Sequence, residues 1–297
     1  MQFLKRLFVA FSGFCIALLG LAGAALAQSP QPWQIGMGVP FSPVKERIVD
    51  LHNLLLVIIT VITVFVAALL VWVMVRFNAR AHPTPSRTSH NTLLEVAWTL
   101  VPVLILVVIA IPSFRLIYYE DRTQEADLTI KVTGHQWYWE YTYPDNGNID
   151  FSSYIIPDDQ LKPGQLRLLE VDNQLVVPAG KNIRVLTSGA DVIHSFFVPS
   201  LGMQRYAIPG RVIETWFNAS KPGTYYGQCN QICGTNHSRM PIAIHAVPQA
   251  EFDAWIIEAR TKFADNALPA APTATSKSVG NLPNAADATM RLAEIQH

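Results

Sequence analysis

From Leu54 to Val75 the chain carries no charged residue. About 20 such residues cross the roughly 30 Å hydrocarbon core of a bilayer, so this run commits the chain to a membrane before any other feature is weighed. A second apolar run, Val96 to Phe114, is slightly shorter and contains Pro102, which a membrane helix tolerates when neighbouring groups take up the freed carbonyl. Both runs are expected to span. The link between them carries Arg76, Arg80 and Arg87 with no acid before Glu95, so the positive-inside rule places the link in the cytoplasm and both termini outside.

The N-terminus agrees with that orientation. Met1 to Ala27 opens with Lys5 and Arg6, continues through an apolar stretch from Leu7 to Leu21, and closes on Ala25-Leu26-Ala27, the pattern of a secretory signal peptide removed before Gln28. An uncleaved first membrane helix is the competing reading. Half of the chain is hydrophobic and only 15% is charged, against about 25% in soluble proteins, which argues against an ordinary soluble two-domain enzyme. The 22 basic and 22 acidic residues cancel, so no general attraction draws the chain to nucleic acid. Three cysteines are too few for a disulfide scaffold, and only Cys229 and Cys233 lie close enough in sequence to share a site.

After Arg115 the pattern changes to short β-rich stretches broken by turns. Leu128 to Thr133, Leu166 to Val171 and Ile183 to Thr187 read as strands, with turns at Pro163, Pro178, Pro209 and Pro222. Strands at this spacing predict a β-sandwich or barrel. Gln249 to Phe263 has helical spacing, with Phe252, Trp255, Ile256 and Ala259 on one side. Beyond Asp265, Ala, Pro, Ser and Thr predominate, a composition that buries too little apolar surface to repay ordering. The resulting organisation is a signal peptide over 1–27, an exported segment over 28–50, a two-helix hairpin over 51–116, a β domain over 117–265 and a loose tail over 266–297.

The run from Gly227 to Met240 packs Cys229, Cys233, His237 and Met240 into one loop, and His194 lies upstream where a strand end could bring it alongside. Soft sulfur with imidazole selects copper, zinc or iron-sulfur clusters. Two Cys and two His could close a structural zinc site, which leaves Met240 unexplained. A disulfide between Cys229 and Cys233 would leave both histidines idle. A single blue-copper site uses one cysteine, two histidines and a weak methionine, so here one thiolate is surplus. That surplus points to two metals bridged by both sulfurs, with zinc and disulfide as the standing alternatives.

The loop, the upstream Asp191-Val192-Ile193-His194, the segment Gly134-His135-Gln136-Trp137-Tyr138-Trp139 and the two-span anchor together resemble subunit two of the haem-copper cytochrome c oxidases, over about Leu54 to Val247. The resemblance implies an α-helical transmembrane hairpin plus an all-β, cupredoxin-like Greek-key barrel holding a binuclear copper A centre. Carried onto matching positions, Cys229 and Cys233 bridge the coppers, His194 and Met240 complete one, and His237 with the backbone carbonyl of Gln231 completes the other. It further implies that electrons from cytochrome c are received at Trp137, that Asp145, Asp172 and Asp191 dock that donor, and that Glu95 stands at the mouth of a proton path. Thr142, Gly147 and Ala190 occupy positions where relatives often carry acids, which thins the docking face.

Where relatives carry glutamate between the cysteines, binding magnesium through its side chain, this chain has Gln231. A neutral amide is a poorer ligand for a hard cation, which puts magnesium in doubt. The implied partners are cytochrome c, oxidase subunit 1 with its haem and copper, and subunit 3. The implied place is a bacterial inner membrane, with the N-terminus and copper domain on the periplasmic side. A quinol oxidase subunit, whose copper loop is typically lost, and a membrane-anchored metal carrier or structural zinc protein are the rival readings.

Overall fold

The computed structural model describes residues 33–84, 87–121 and 125–264; the expected signal peptide and the tail beyond 265 lie outside them. Helix α1, Pro43–Arg76, starts with proline in its first turn and with the Ser42 hydroxyl accepting the Lys45 N–H at 2.9 Å. Both features suit a helix start, because proline has no N–H to leave orphaned and serine satisfies one that would be. Helix α2, Thr92–Asp121, opens with Asn91 accepting the Leu94 N–H and runs on through Pro102 and Pro112. Within their apolar windows none of the hairpin is buried by the rest of the chain, as expected of surface meant for lipid or a partner.

Both helices outrun the apolar stretches that predict them. α1 begins well before Leu54 and α2 continues past Phe114 to Asp121, so charged residues stand as helical posts above the apolar runs. The β domain rests on these posts. The Trp216 indole donates to the Tyr119 carbonyl at 3.1 Å, and Arg205 pairs with Asp121. At the start of α1, the Phe41 N–H donates to the Ser200 carbonyl, the Ser220 N–H donates to the Phe41 carbonyl, and the Ser42 hydroxyl donates to the Leu201 carbonyl.

The domain is a sandwich of two five-stranded sheets. One contains β1 (Leu128–His135), β2 (Tyr138–Tyr143), β3 (Ile149–Ser153), β5 (Ile183–Gly189) and β8 (Ile213–Phe217), in the order β3-β2-β1-β5-β8. The other contains β4 (Leu175–Pro178), β6 (His194–Val198), β7 (Met203–Ala207), β9 (Gly223–Cys229) and β10 (Pro241–Val247), in the order β4-β10-β9-β6-β7. β1 pairs with β5, and β4 with β10, in parallel, so strands distant in sequence close each sheet. Burial alternates strictly along β5 and through the first residues of β1, the period of a strand with one face inward. Helix α3, Gln249–Lys262, covers the core with Phe252, Ile256 and Ala259, as its spacing predicts.

One strand expectation fails. Leu166 to Val171 forms turns, and only Val171 makes an isolated bridge, to Ile155. The buried Glu170 explains the difference, because its carboxylate accepts the Tyr226 hydroxyl and the Leu166 N–H, folding this segment back on itself.

Candidate metal centre

β6, β9 and β10 converge where the loop from Cys229 to Met240 leaves the second sheet. Cys229 ends β9 and its N–H donates to the Met240 carbonyl at 3.1 Å, so the strand ladder itself sets Met240 beside the first cysteine. His194 begins β6, which pairs with β9 through Phe196 and Cys229. Register alone brings together residues 35 apart in sequence. The Asn230 N–H donates to the Ser195 carbonyl, and the Gln136 amide donates to the Cys233 carbonyl at 2.7 Å, holding the first half of the loop at two points.

The side chains form a compact donor set. The sulfurs of Cys229 and Cys233 are 3.9 Å apart and both thiols are free, far from the roughly 2.05 Å of a disulfide. His194 Nδ1 is 4.0 Å from the Cys229 sulfur, His237 Nδ1 is 3.5 Å from the Cys233 sulfur, and the Gln231 carbonyl accepts from Cys229 at 3.3 Å. His194, Cys229, Cys233 and Met240 are buried, while His237 and Gln231 are half-buried. The ligand atoms of His194, Cys229 and Cys233 lie within 4.8 Å of one another.

The electrostatics of the pair call for a cation. Burial pushes the Cys229 thiol up, but the His194 ring and backbone hydrogen bonds bring it down to about 7. Burial and then the charge of Cys229 push the Cys233 thiol up to about 12. One thiolate therefore suppresses the second, and a positive metal between them removes that penalty for both. Two thiolates, two imidazoles, a thioether and a carbonyl fit a pair of soft, one-electron metals such as copper.

Asp191 orients one imidazole. Its carboxylate accepts His194 Nε2–H at 2.8 Å, the Val192 N–H at 2.6 Å and the Gln136 N–H at 2.7 Å. Burial pushes the Asp191 carboxyl up, yet these hydrogen bonds prevail and hold it below the usual carboxylate range. Burial likewise opposes charge on His194, but Cys229 and Asp191 raise its pKa above the ordinary value. Because a carboxylate only accepts, Nε2 keeps its proton, and Nδ1, which faces the Cys229 sulfur, is the nitrogen left to yield its proton and ligate a metal. Gly134 completes the cradle: a Cβ there would lie 2.8 Å from the His194 ring, so only glycine lets β1 pass this close.

The three aromatics of the β1–β2 corner divide their work. Trp139 is wholly buried, edge-on to Phe196 at 5.0 Å. Tyr138 stacks between His135 and Tyr154, each at 4.5 Å. Trp137 is half-buried and lies against the metal loop, where a Cβ on Gly234 would sit 3.0 Å from the indole. Asp145 and Asp172 are exposed, and each accepts backbone N–H groups, from Thr129 and from Tyr154 and Asn173. Glu95 stands apart in the first turn of α2, beside Thr92 and Thr99, near the end of the hairpin remote from the β domain. The orienting part of Asp191 and the loop clamp by Gln136 are absent from the sequence reading. An acid three residues before a ligand histidine is the signal that could have suggested the first.

Residues 128–247 match the family described as cytochrome c oxidase subunit II, periplasmic domain, and residues 30–116 match its transmembrane domain. A probable cytochrome c oxidase subunit 2 of Rickettsia bellii is 51% identical over 248 residues, 84% of this chain and 88% of the relative. Cytochrome c oxidase subunit 2 of Zea mays is 45% identical over 238 residues, 78% of this chain and 92% of the relative. Among solved structures, the periplasmic domain of subunit II of cytochrome oxidase of Bradyrhizobium japonicum is 53% identical, covering 48% of this chain and 99% of that one, with a TM-score of 0.45. The chain belongs to the cytochrome c oxidase subunit II family, the two-pass, cupredoxin-like subunit of haem-copper terminal oxidases.

Proposed function

We propose that this chain is the electron-receiving subunit of its oxidase, taking electrons from cytochrome c and delivering them to haem in subunit 1, where oxygen reduction is coupled to proton translocation. The observation that carries the reading is the pair of free, buried thiols 3.9 Å apart, each with an imidazole Nδ1 within 4.0 Å. Cys229 and Cys233 would bridge two coppers, His194 and Met240 would complete one, and His237 with the Gln231 carbonyl the other. When bound, the copper A group would supply one-electron transfer.

The residues of the chain serve that relay by staying still. Asp191 holds the His194 ring, Gln136 holds the loop at Cys233, and the β9–β10 ladder holds Met240. Little reorganisation is then needed between redox states. Trp137, half-buried against Gly234, would receive electrons from the donor. Asp145, Asp172 and Asp191 would present negative charge to a basic donor, raising the encounter rate in a salt-dependent way. Glu95 would admit protons at the opposite membrane face, with the metal domain in the periplasm of a bacterial inner membrane. Magnesium is not assigned, since Gln231 offers an amide where a carboxylate would be needed.

Metal analysis and electron paramagnetic resonance of the full chain test the reading. Two coppers per chain, with hyperfine splitting from two equivalent nuclei, are expected; one copper, or zinc, would overturn it in favour of a single-metal or structural site. Cys229→Ser should abolish the paired spectrum. Trp137→Phe should keep both coppers while slowing stopped-flow reduction by cytochrome c, and an unchanged rate removes Trp137 from the path.

A further inference from the structure

At the end of the hairpin that adjoins the β domain, a cavity of about 340 Å³ opens between the two helices. Its polar lining is Arg47 and Asp50 of α1 and Arg115 of α2; Leu51, Leu54 and Pro112 supply apolar walls. Its depth follows from the sequence. Leu54 opens the uncharged run of α1 and Arg115 directly follows the apolar run of α2, so the cavity lies where hydrocarbon gives way to headgroups.

The charges in this cavity are unspent. Among the described residues, Arg47, Asp50 and Arg115 make no ion pair or side-chain hydrogen bond. The Arg47 guanidinium lies 3.5 Å from the centroid of the Tyr119 ring. That contact fixes the group while leaving the in-plane N–H donors free for an oxyanion. Two guanidiniums face one carboxylate, so the lining carries a net positive charge directly above an apolar wall. Basic pockets between membrane helices at headgroup depth match the phosphodiester of an anionic lipid, and leucine and proline walls suit its glycerol and first acyl carbons.

We propose that this cavity is a binding site for an anionic phospholipid of the leaflet on the domain side, its phosphate held by Arg47 and Arg115. The site is separate from the metal loop and does not depend on the copper assignment. The full chain, reconstituted in nanodiscs, tests it through the immobilised fraction of spin-labelled phosphatidylglycerol against spin-labelled phosphatidylcholine. The wild type should prefer phosphatidylglycerol several-fold, and Arg47→Gln with Arg115→Gln should bring the two lipids to parity with helix content unchanged. Arg47→Lys with Arg115→Lys, which keeps both charges, should retain most of the preference, and Arg80→Gln at the far face should leave it intact. Equal binding of both lipids by the wild type, or a preference that survives the double glutamine variant, overturns the proposal. Displacement by millimolar inorganic phosphate overturns the lipid source in favour of a free-anion site.

Discussion

Val64 in α1 and Val212 beside β8 expose nearly the same fraction of their surface, 63% and 66%, yet they obey different rules. Val64 sits mid-span among neighbours as exposed as itself, including Val61 and Phe65. Val212 is one of a few scattered exposed apolar side chains, with Ile193, Ile232 and Ile257, on a domain whose larger apolar set packs between two sheets. The hairpin is stabilised from outside, by lipid and by its partner, whereas the domain closes its own core. Exposure therefore means completion by others in one region and ordinary surface in the other.

Putting the same charge at both positions attacks this contrast most directly. Val64→Arg should cost about 2.5 to 3.5 kcal/mol of insertion free energy, read as lost membrane integration, whereas Val212→Arg should stay within about 0.5 kcal/mol in a denaturant melt. Equal effects would erase the distinction. Within the domain, Asp191→Ala removes the acceptor for His194, Val192 and Gln136, and copper affinity should fall about 10- to 100-fold in a competition titration. An affinity unchanged by this substitution would mean that the loop orients His194 without help.

Tyr143→Phe probes how far the core is closed. The Tyr143 hydroxyl donates to the Val176 carbonyl at 2.8 Å and accepts the Val176 N–H at 3.1 Å, so its removal should cost about 1 to 2 kcal/mol in a denaturant melt. The smallest effect is alkaline. Burial raises the Tyr143 phenol well above its ordinary value, so the folded state keeps the proton that the unfolded state releases above about pH 10. The stabilising contribution is complete below that pH and is lost as pH rises further, and Tyr143→Phe should flatten the decline in thermal melts.

The hairpin was legible because a long uncharged run admits few solutions, and β1, β5 and α3 were legible because their apolar period is regular. Leu166 to Val171 was misread because its pattern reports hydrophobicity but not the Glu170 carboxylate that draws the segment into turns. The candidate ligand residues of the loop stood out by type and spacing. The sequence shows the charge of Asp191, on which its docking expectation rests, but not the three hydrogen-bond donors that its carboxylate also accepts. Gly134 gave no sign of its closeness to His194, since the two lie in different sheets and only the packing of one sheet on the other brings them together.

On the proposed relay, the stitches joining the domain to the hairpin would govern how the metal loop meets a membrane-embedded acceptor. Phe41 and Ser42 bind the start of α1 to the 200–220 region, while Trp216 and Arg205 bind the end of α2. Two stiff struts fastened at separate points resist both tilting and sliding, so the donor set keeps one elevation over the bilayer. Tunnelling rates fall steeply with each added ångström, and under the proposed function a scaffold of this kind would spare the chain any search for the right separation before each transfer.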